Sequence, residues 1–146
     1  MQIEVFKKRL EKLSLSKPIF KFQFVEKAVK SDLVKTQVSL GVQFPEKLST
    51  FFHFLNGLKT ENPSLMLIPL SELQLKENRI HFATFDNTVQ ICLNTEKLNR
   101  ANEWTIINNE TDFVLTLSIS SFWSNKIWHW LEGGKMIWSE NWWEIT

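Results

Sequence analysis

The sequence lacks most of the features that mark secreted and membrane-spanning proteins. It has one cysteine in 146 residues, Cys92, so no intramolecular disulfide can form and no oxidising compartment is implied. No apolar run approaches the roughly 20 residues that cross a bilayer. The first fifteen residues interleave charged with apolar residues and lack the order and the cleavage site of a signal peptide. These absences predict a cytoplasmic protein that does not associate with membranes.

The chain also lacks segments that would divide it into several domains. No repeat, low-complexity tract or Gly/Ser-rich linker interrupts it. Hydrophobic residues make up 43% of the chain and charged residues 23%, which is typical of a globular protein. We predict a single domain over residues 1–146, with a tryptophan-rich C-terminal extension at about 133–146.

Patterns that mark metal and nucleotide sites are missing as well. The histidines His53, His81 and His129 have no second histidine three or four residues away, so no zinc-binding spacing is present. A P-loop, a Rossmann fingerprint and a GxSxG nucleophile elbow are all absent. We therefore expect no metal, no cofactor and no enzymatic activity.

Two catalytic arrangements stay open, because catalytic groups assemble from distant parts of a chain. Cys92 and His81 both lie in predicted strands and could meet in space. A carboxylate pair could form among Glu103, Glu110 and Asp112, although acidic residues near strand ends are usually solvated turn residues. We expect structural roles for these residues.

Positive charge is concentrated in the first part of the chain, although the net charge is only +1. Residues 1–60 carry eleven Lys or Arg against five Asp or Glu, and residues 61–146 carry six against eleven. The first helix interleaves lysine with glutamate, as a solvent-facing helix surface does, so we do not expect nucleic-acid binding. The two halves either attract each other within one fold or steer charged partners to the surface.

The N-terminal residues predict one helix followed by an extended segment. Apolar residues recur at helical spacing at Ile3, Phe6, Leu10 and Leu13. Pro18 ends this helix, because the residue before a proline avoids helical geometry. Phenylalanines then alternate with polar residues over residues 20–24, which is typical of a short extended stretch.

Two further helices are predicted before residue 58. The stretch SDLVKTQVSLG has a plausible N-cap at Ser31 and a left-handed C-cap at Gly41. The next helix starts at Pro45, has a phenylalanine-rich apolar face, and ends at Asn56-Gly57, which supplies a turn.

From Leu65 onwards apolar residues alternate with polar ones, which predicts β-strands. The predicted strand segments lie at residues 65–68, 80–83, 89–93, 104–106 and 115–119. They indicate an antiparallel sheet of about five strands with one face covered. The predicted fold class is α+β, with the N-terminal helices packed on the sheet and a C-terminal helix.

Short motifs in the middle of the chain resemble the SUKH superfamily of Smi/Knr-like domains. In order along the chain they are Leu40-Gly41, Phe44-Pro45-Glu46, Asn56-Gly57 and Pro69-Leu70-Ser71-Glu72-Leu73. They correspond to a helix that ends in Leu-Gly, a proline-acidic helix start, an Asn-Gly pair and a Pro-hydrophobic-Ser-Glu-Leu stretch in that superfamily. The resemblance extends in order over roughly residues 32–131.

The resemblance implies a non-enzymatic α+β domain that binds other proteins. In bacterial members of the superfamily the partner is commonly a toxin from a competing or neighbouring cell. The resemblance therefore implies an immunity protein, and it implies no particular toxin.

Six of the seven tryptophans lie in the last twenty-six residues, and their spacing predicts which of them are exposed. A helix is predicted over residues 122–132, with an N-cap at Ser121 and with Gly133-Gly134 at its end. At about 100° per residue, Trp123 and Trp130 share the core-facing half of this helix, and Trp128 projects on the other side.

The remaining tail allows two interpretations. Met136 and Trp138 could face one way along a strand, but the adjacent Trp142 and Trp143 cannot both face inward in a strand. The tail is either a contact surface or a terminal flap over the open face of the sheet.

An aromatic centre with a polar rim is typical of a protein-binding surface, and the carboxylates suit a basic toxin surface. The alternative is a carbohydrate-binding or regulatory module that stacks sugars on the C-terminal tryptophans. The sequence leaves the oligomeric state open. The predicted partner-binding residues are Trp128, Trp142, Trp143, Glu140, Glu144 and Asp86.

Overall fold

The helices and strands follow the order that the apolar spacing predicts, with additional strands. The computed structural model describes residues 3–26 and 29–144. The helices are α1 (Ile3–Ser16), α2 (Lys30–Leu40), α3 (Glu46–Phe54), α4 (Ile119–Ser121) and α5 (Ile127–Gly133), and a π-helical turn at Phe122–Lys126 joins the last two. Short 3₁₀ turns lie at Leu70–Glu72 and Trp142–Glu144. The strands are β1 (Lys21–Glu26), β2 (Asn56–Glu61), β3 (Leu65–Leu67), β4 (Leu75–Lys76), β5 (Arg79–Phe85), β6 (Val89–Asn94), β7 (Thr105–Asn108) and β8 (Val114–Thr116).

These strands form one antiparallel sheet in the order β1-β2-β3-β5-β6-β7-β8, and β4 pairs with β5 beside this path. The predicted α+β class is confirmed. The sheet is larger than predicted, because residues 3–26 and 29–144 form eight strands where about five were expected. The extended stretch at residues 20–24 becomes β1, and β2 and β4 have no counterpart among the predicted strands.

The helices cover one face of the sheet and leave the other to solvent. Phe82 and Phe85 of β5 point to the helical side, where their ring centroids lie 5.1 and 6.1 Å from that of Phe122. The opposite face carries polar side chains such as Lys59 and Gln90, which are exposed. This two-layer arrangement buries the apolar faces of both sheet and helices. None of the helices in the described ranges is long and apolar enough to cross a membrane.

The two predicted caps of α2 have different outcomes. Gly41 is the left-handed C-cap, with φ +72°, and its N–H donates to the Gln37 carbonyl at 2.9 Å. The predicted N-cap is wrong, because the helix begins at Lys30, one residue before Ser31. The N-cap residue is Val29, whose backbone is extended and whose side chain makes no capping hydrogen bond.

The Asn56-Gly57 pair does not form the predicted turn, because it begins β2. Asn56 is buried, and its Oδ1 accepts a hydrogen bond from the Leu70 N–H at 2.7 Å. A Cβ added to Gly57 would lie 2.9 Å from the Val25 Cβ and 3.2 Å from the Pro69 Cβ. Two of the motifs that carry the resemblance therefore contact each other in the fold.

Gly57→Ala is expected to destabilise the protein by more than about 3 kcal/mol, because the added methyl group meets Val25 and Pro69 and the backbone is strained. Gly57 has φ +107°, a region that L side chains rarely adopt. The matched control is Gly41→Ala, where nothing lies within 4 Å of the added Cβ. Its expected loss is about 1–2 kcal/mol, from the left-handed conformation alone. Urea unfolding followed by tryptophan fluorescence measures both, and equal losses would contradict the contact explanation.

Candidate functional site

The last helix begins three residues earlier than predicted and contains a π-turn. Its N-cap is Ser118 rather than Ser121, because the Ser118 hydroxyl accepts a hydrogen bond from the Ser121 N–H at 3.1 Å. Ile119, predicted to end a strand, is the first residue of α4. The Ile127 N–H donates to the Phe122 carbonyl, five residues back. A π-turn has more residues than an α-helical turn, so a wheel drawn at 100° per residue loses its phase across it.

Trp128 is buried, so its predicted role as an exposed anchor is wrong. Only 2% of its surface is exposed, since α1 packs over it. The Phe6 ring centroid lies 5.2 Å from the Trp128 ring, and the Arg9 guanidinium lies 4.3 Å from the indole centroid. Arg9 also donates two hydrogen bonds to the Glu132 carboxylate, which connects α1 to α5. The change of phase at the π-turn and the cover supplied by α1 together explain the error.

Trp123 and Trp130 are buried, as predicted. Trp123 packs against Phe51, with 5.6 Å between ring centroids, and against Phe6 at 5.2 Å. The Trp130 Nε1 donates a hydrogen bond to the Ser64 carbonyl at 2.9 Å. Both indoles therefore belong to the core.

The tail packs on its own domain as far as Trp138. Trp138 is buried against Phe85 and Trp130, with ring centroids 5.3 and 4.9 Å apart. The Asn108 Nδ2 donates to the Trp138 carbonyl at 3.1 Å. The tail is not a strand, and Met136 is exposed while Trp138 is buried. The predicted extension at about 133–146 is thus partly core, and it lies on the helical side of the sheet rather than over the open face.

The end of the tail forms an aromatic surface on α5. Trp143 is 60% exposed, and Trp142 is half-buried beside it, with the two ring planes at 84°. The Lys126 Nζ lies 4.8 Å from the Trp142 ring centroid, and the His129 ring lies 5.0 Å from it. We call Lys126, His129, Trp142 and Trp143 the tryptophan patch.

Lys126 and His129 were not among the predicted site residues. Their three-residue spacing on one helix places them on the same face, and that signal is present in the sequence. Only the return of the tail onto α5 shows that Trp142 contacts both of them. They hold the Trp142 ring from the helix side and leave Trp143 outside.

The predicted carboxylates do not all lie at this patch. Glu140 is exposed in the turn that leads to Trp142. Asp86 is exposed in the β5–β6 turn, and its N–H donates to the Ser64 carbonyl, which also accepts from Trp130. The Asp86 backbone and the Trp130 indole therefore share one hydrogen-bond acceptor. The Glu144 backbone ends the last 3₁₀ turn, and its side chain lies outside the described part of the structure.

Cys92 of β6 and His81 of β5 are register partners, so the two residues do meet in space, as a catalytic Cys–His pair requires. Their hydrogen bonds and pKa values do not suit that role. The His81 Nε2 lies 3.0 Å from the Ala83 carbonyl and 2.8 Å from the Thr84 hydroxyl, so its own strand occupies it. Burial lowers the pKa of His81 below its ordinary value. Burial also raises the pKa of the Cys92 thiol to about 11. The thiol is thus protonated at neutral pH, and the His81 Nε2 is engaged by Ala83 and Thr84.

The candidate carboxylates serve separate structural roles. The buried Glu103 accepts a hydrogen bond from the Ile119 N–H at 3.0 Å and so caps the last helix. Asp112 forms an ion pair with Arg79 across a polar groove of about 710 Å³ on the open face of the sheet, which Glu110 also lines. In the described ranges, no group of three or more His, Cys, Asp or Glu side chains is arranged to hold a metal ion.

Comparison of the chain with family models and with curated proteins finds no match. Membership of the SUKH superfamily therefore stays a prediction from the motif residues. The contact between Asn56 and Leu70 gives those motifs a shared structural role, because it joins two segments fourteen residues apart.

Trp128→Ala is expected to destabilise the fold by about 3–5 kcal/mol, since it empties a large buried site between α1 and α5. Trp128→Phe should cost much less, because the Trp128 Nε1 has no hydrogen-bond partner among the described atoms. Trp143→Ala is the surface control and should change stability by no more than about 0.5 kcal/mol. Urea unfolding measures all three variants. A Trp128→Ala protein as stable as Trp143→Ala would contradict the packing of Trp128 against Phe6 and Arg9 of α1.

Cys92 is expected to react with iodoacetamide about a hundredfold more slowly in the folded protein than in the urea-unfolded chain at about pH 8. The pKa of the thiol rises from the ordinary 9.0 to about 11. At about pH 8 the folded protein therefore contains about a hundredfold less of the reactive thiolate than the unfolded chain does. Mass spectrometry of timed samples measures the two rates. Similar rates would show that the thiol is accessible and ionises normally.

Proposed function

We propose that the protein is a non-enzymatic protein-binding module and that the tryptophan patch is its contact surface. The observation that carries this proposal is the exposure of Trp143, at 60%, beside the half-buried Trp142. The other five tryptophans are buried, so Trp143 differs from them in its exposure. Tryptophan is enriched among the residues that dominate the energy of protein interfaces.

The patch has the geometry of a partly preorganised anchor. Trp142 is held by Lys126 and His129, so binding would order little of it. Its edge-to-face contact with Trp143 favours one orientation of the second ring. Met136 and Glu140, which precede it in the tail, are also exposed.

Within the class of binding modules, we propose a cytoplasmic immunity protein that neutralises a bacterial toxin by covering its active site or substrate path. The support is the ordered set of SUKH-like motifs, two of which contact each other at Asn56 and Leu70. Glu140, Glu144 and Asp86 stay in the proposal as carboxylates for a basic toxin surface. Trp128 is not a contact residue in this proposal, because its side chain is buried.

Carbohydrate binding is the second candidate, because the exposed ring of Trp143 could stack on a sugar. The planes of Trp142 and Trp143 are nearly perpendicular, so they do not form the flat two-ring platform that sugar stacking would use best. We therefore propose protein binding ahead of carbohydrate binding. Quenching of tryptophan fluorescence by glycans, with no binding to a protein toxin, would reverse the order.

The proposal is tested by calorimetry between the protein and the catalytically inactivated product of the gene adjacent to its own. We expect a dissociation constant in the nanomolar range, roughly −12 kcal/mol. Trp142→Ala and Trp143→Ala should each weaken binding by about 2 kcal/mol or more, roughly thirtyfold, because each removes an interface anchor.

The matched control is Leu98→Ala, which removes an apolar side chain that is 53% exposed in the loop between β6 and β7. It should leave the affinity unchanged. If Leu98→Ala weakens binding as much as Trp143→Ala does, the patch is not the contact surface. If no complex forms at high micromolar concentration, that toxin is not the partner and the immunity proposal loses its main support.

A further inference from the structure

The two free edges of the sheet differ in length and regularity. β8 has three residues, and its pairing with β7 shifts register between Ile106 and Ile107. β1 has six residues and keeps one register with β2, from Lys21 opposite Glu61 to Glu26 opposite Asn56. Proteins protect sheet edges by shortness, bulges, prolines and charges, because an edge strand presents unpaired N–H and C=O groups. β8 is protected by its shortness and its irregular pairing, whereas β1 is neither short nor irregular.

The side chains of β1 leave apolar surface at this edge. Its four central residues are Phe22, Gln23, Phe24 and Val25, with neither a charge nor a proline. Phe22 and Phe24 lie on one face with ring centroids 6.2 Å apart, and both are only half-buried. A neighbouring strand would complete their cover, since cross-strand aromatic and apolar pairs stabilise a sheet.

The charge around β1 is positive. Lys21 lies on the strand, Lys59 is the register partner of Gln23 on the same face, and the Lys7 Nζ lies 5.2 Å from the Phe24 ring centroid. On the face that carries Lys21 and Lys59, Glu61 is the one carboxylate among the described residues of the β1–β2 pair, and it lies opposite Lys21. On this face the two lysines outnumber the carboxylate, so the charge pattern favours an acidic partner segment.

We propose that β1 binds an extended acidic segment of a partner protein, which adds to the sheet as a further strand. Main-chain hydrogen bonds to β1 supply affinity, and alternate side chains supply specificity. Apolar residues of the segment cover Phe22 and Phe24, and acidic residues on the other face meet Lys21 and Lys59. This surface uses none of the tryptophan-patch residues and does not depend on the toxin-binding proposal.

The test is a selection of peptides from a random library displayed on phage, with the full chain as the immobilised target. Enriched peptides should alternate apolar with acidic residues. A synthetic copy of the most enriched peptide should slow amide hydrogen exchange at residues 22–25. The double variant Lys21→Gln/Lys59→Gln should bind it about fivefold to thirtyfold more weakly, as expected for two lost ion pairs.

The matched control is Lys76→Gln, which removes an exposed lysine from β4 and should leave the affinity unchanged. Four results would each overturn the proposal. They are no enrichment, enriched peptides without acidic residues, protection of amides outside β1, and a dimer of the free protein in light scattering that forms through β1. Trp143→Ala should bind the peptide normally, which separates this surface from the tryptophan patch.

Discussion

The burial of the last helix between the sheet and α1 is the interaction on which the rest of the structure depends. On one side Phe122 packs against Phe82 of the sheet, and on the other Phe6 of α1 contacts both Trp123 and Trp128. These aromatic contacts join the first and last helical segments of the chain into one core. In the tail, Trp138 is buried, Trp142 is half-buried and Trp143 is exposed.

The residues that carry the resemblance and the residues proposed to contact a partner are different sets in this chain. Asn56, Gly57 and Leu70 belong to the motifs that resemble the SUKH superfamily, and each makes a structural contact inside the domain. The exposed aromatic surface lies at Trp142 and Trp143, beyond the part of the chain that shows the resemblance. The SUKH-like motifs therefore support a fold, whereas the proposed partner contact rests on the tail.

The sequence predicted the parts of the fold that depend on local periodicity and on single strong signals. Alternation over residues 89–93 predicted β6, and Gly41 predicted the end of α2. It did not predict β2, because Asn56-Gly57 is a common turn signal and only the distant Leu70 N–H explains its place in a strand. Trp128 was misplaced because a π-turn and the cover by α1 are both invisible in a helical wheel. The exposure of Trp143 was predictable, whereas the support from Lys126 and His129 needed the fold.

We propose that this protein acts by binding a toxin through its exposed tryptophans. The most direct test of this proposal is the growth of bacteria that express the active product of the adjacent gene together with this protein. We expect that the wild-type chain restores growth and that a stable Trp142→Ala/Trp143→Ala chain, expressed to the same level, does not. Equal rescue by both chains would contradict the tryptophan patch as the contact surface, and no rescue by the wild type would contradict neutralisation of that toxin.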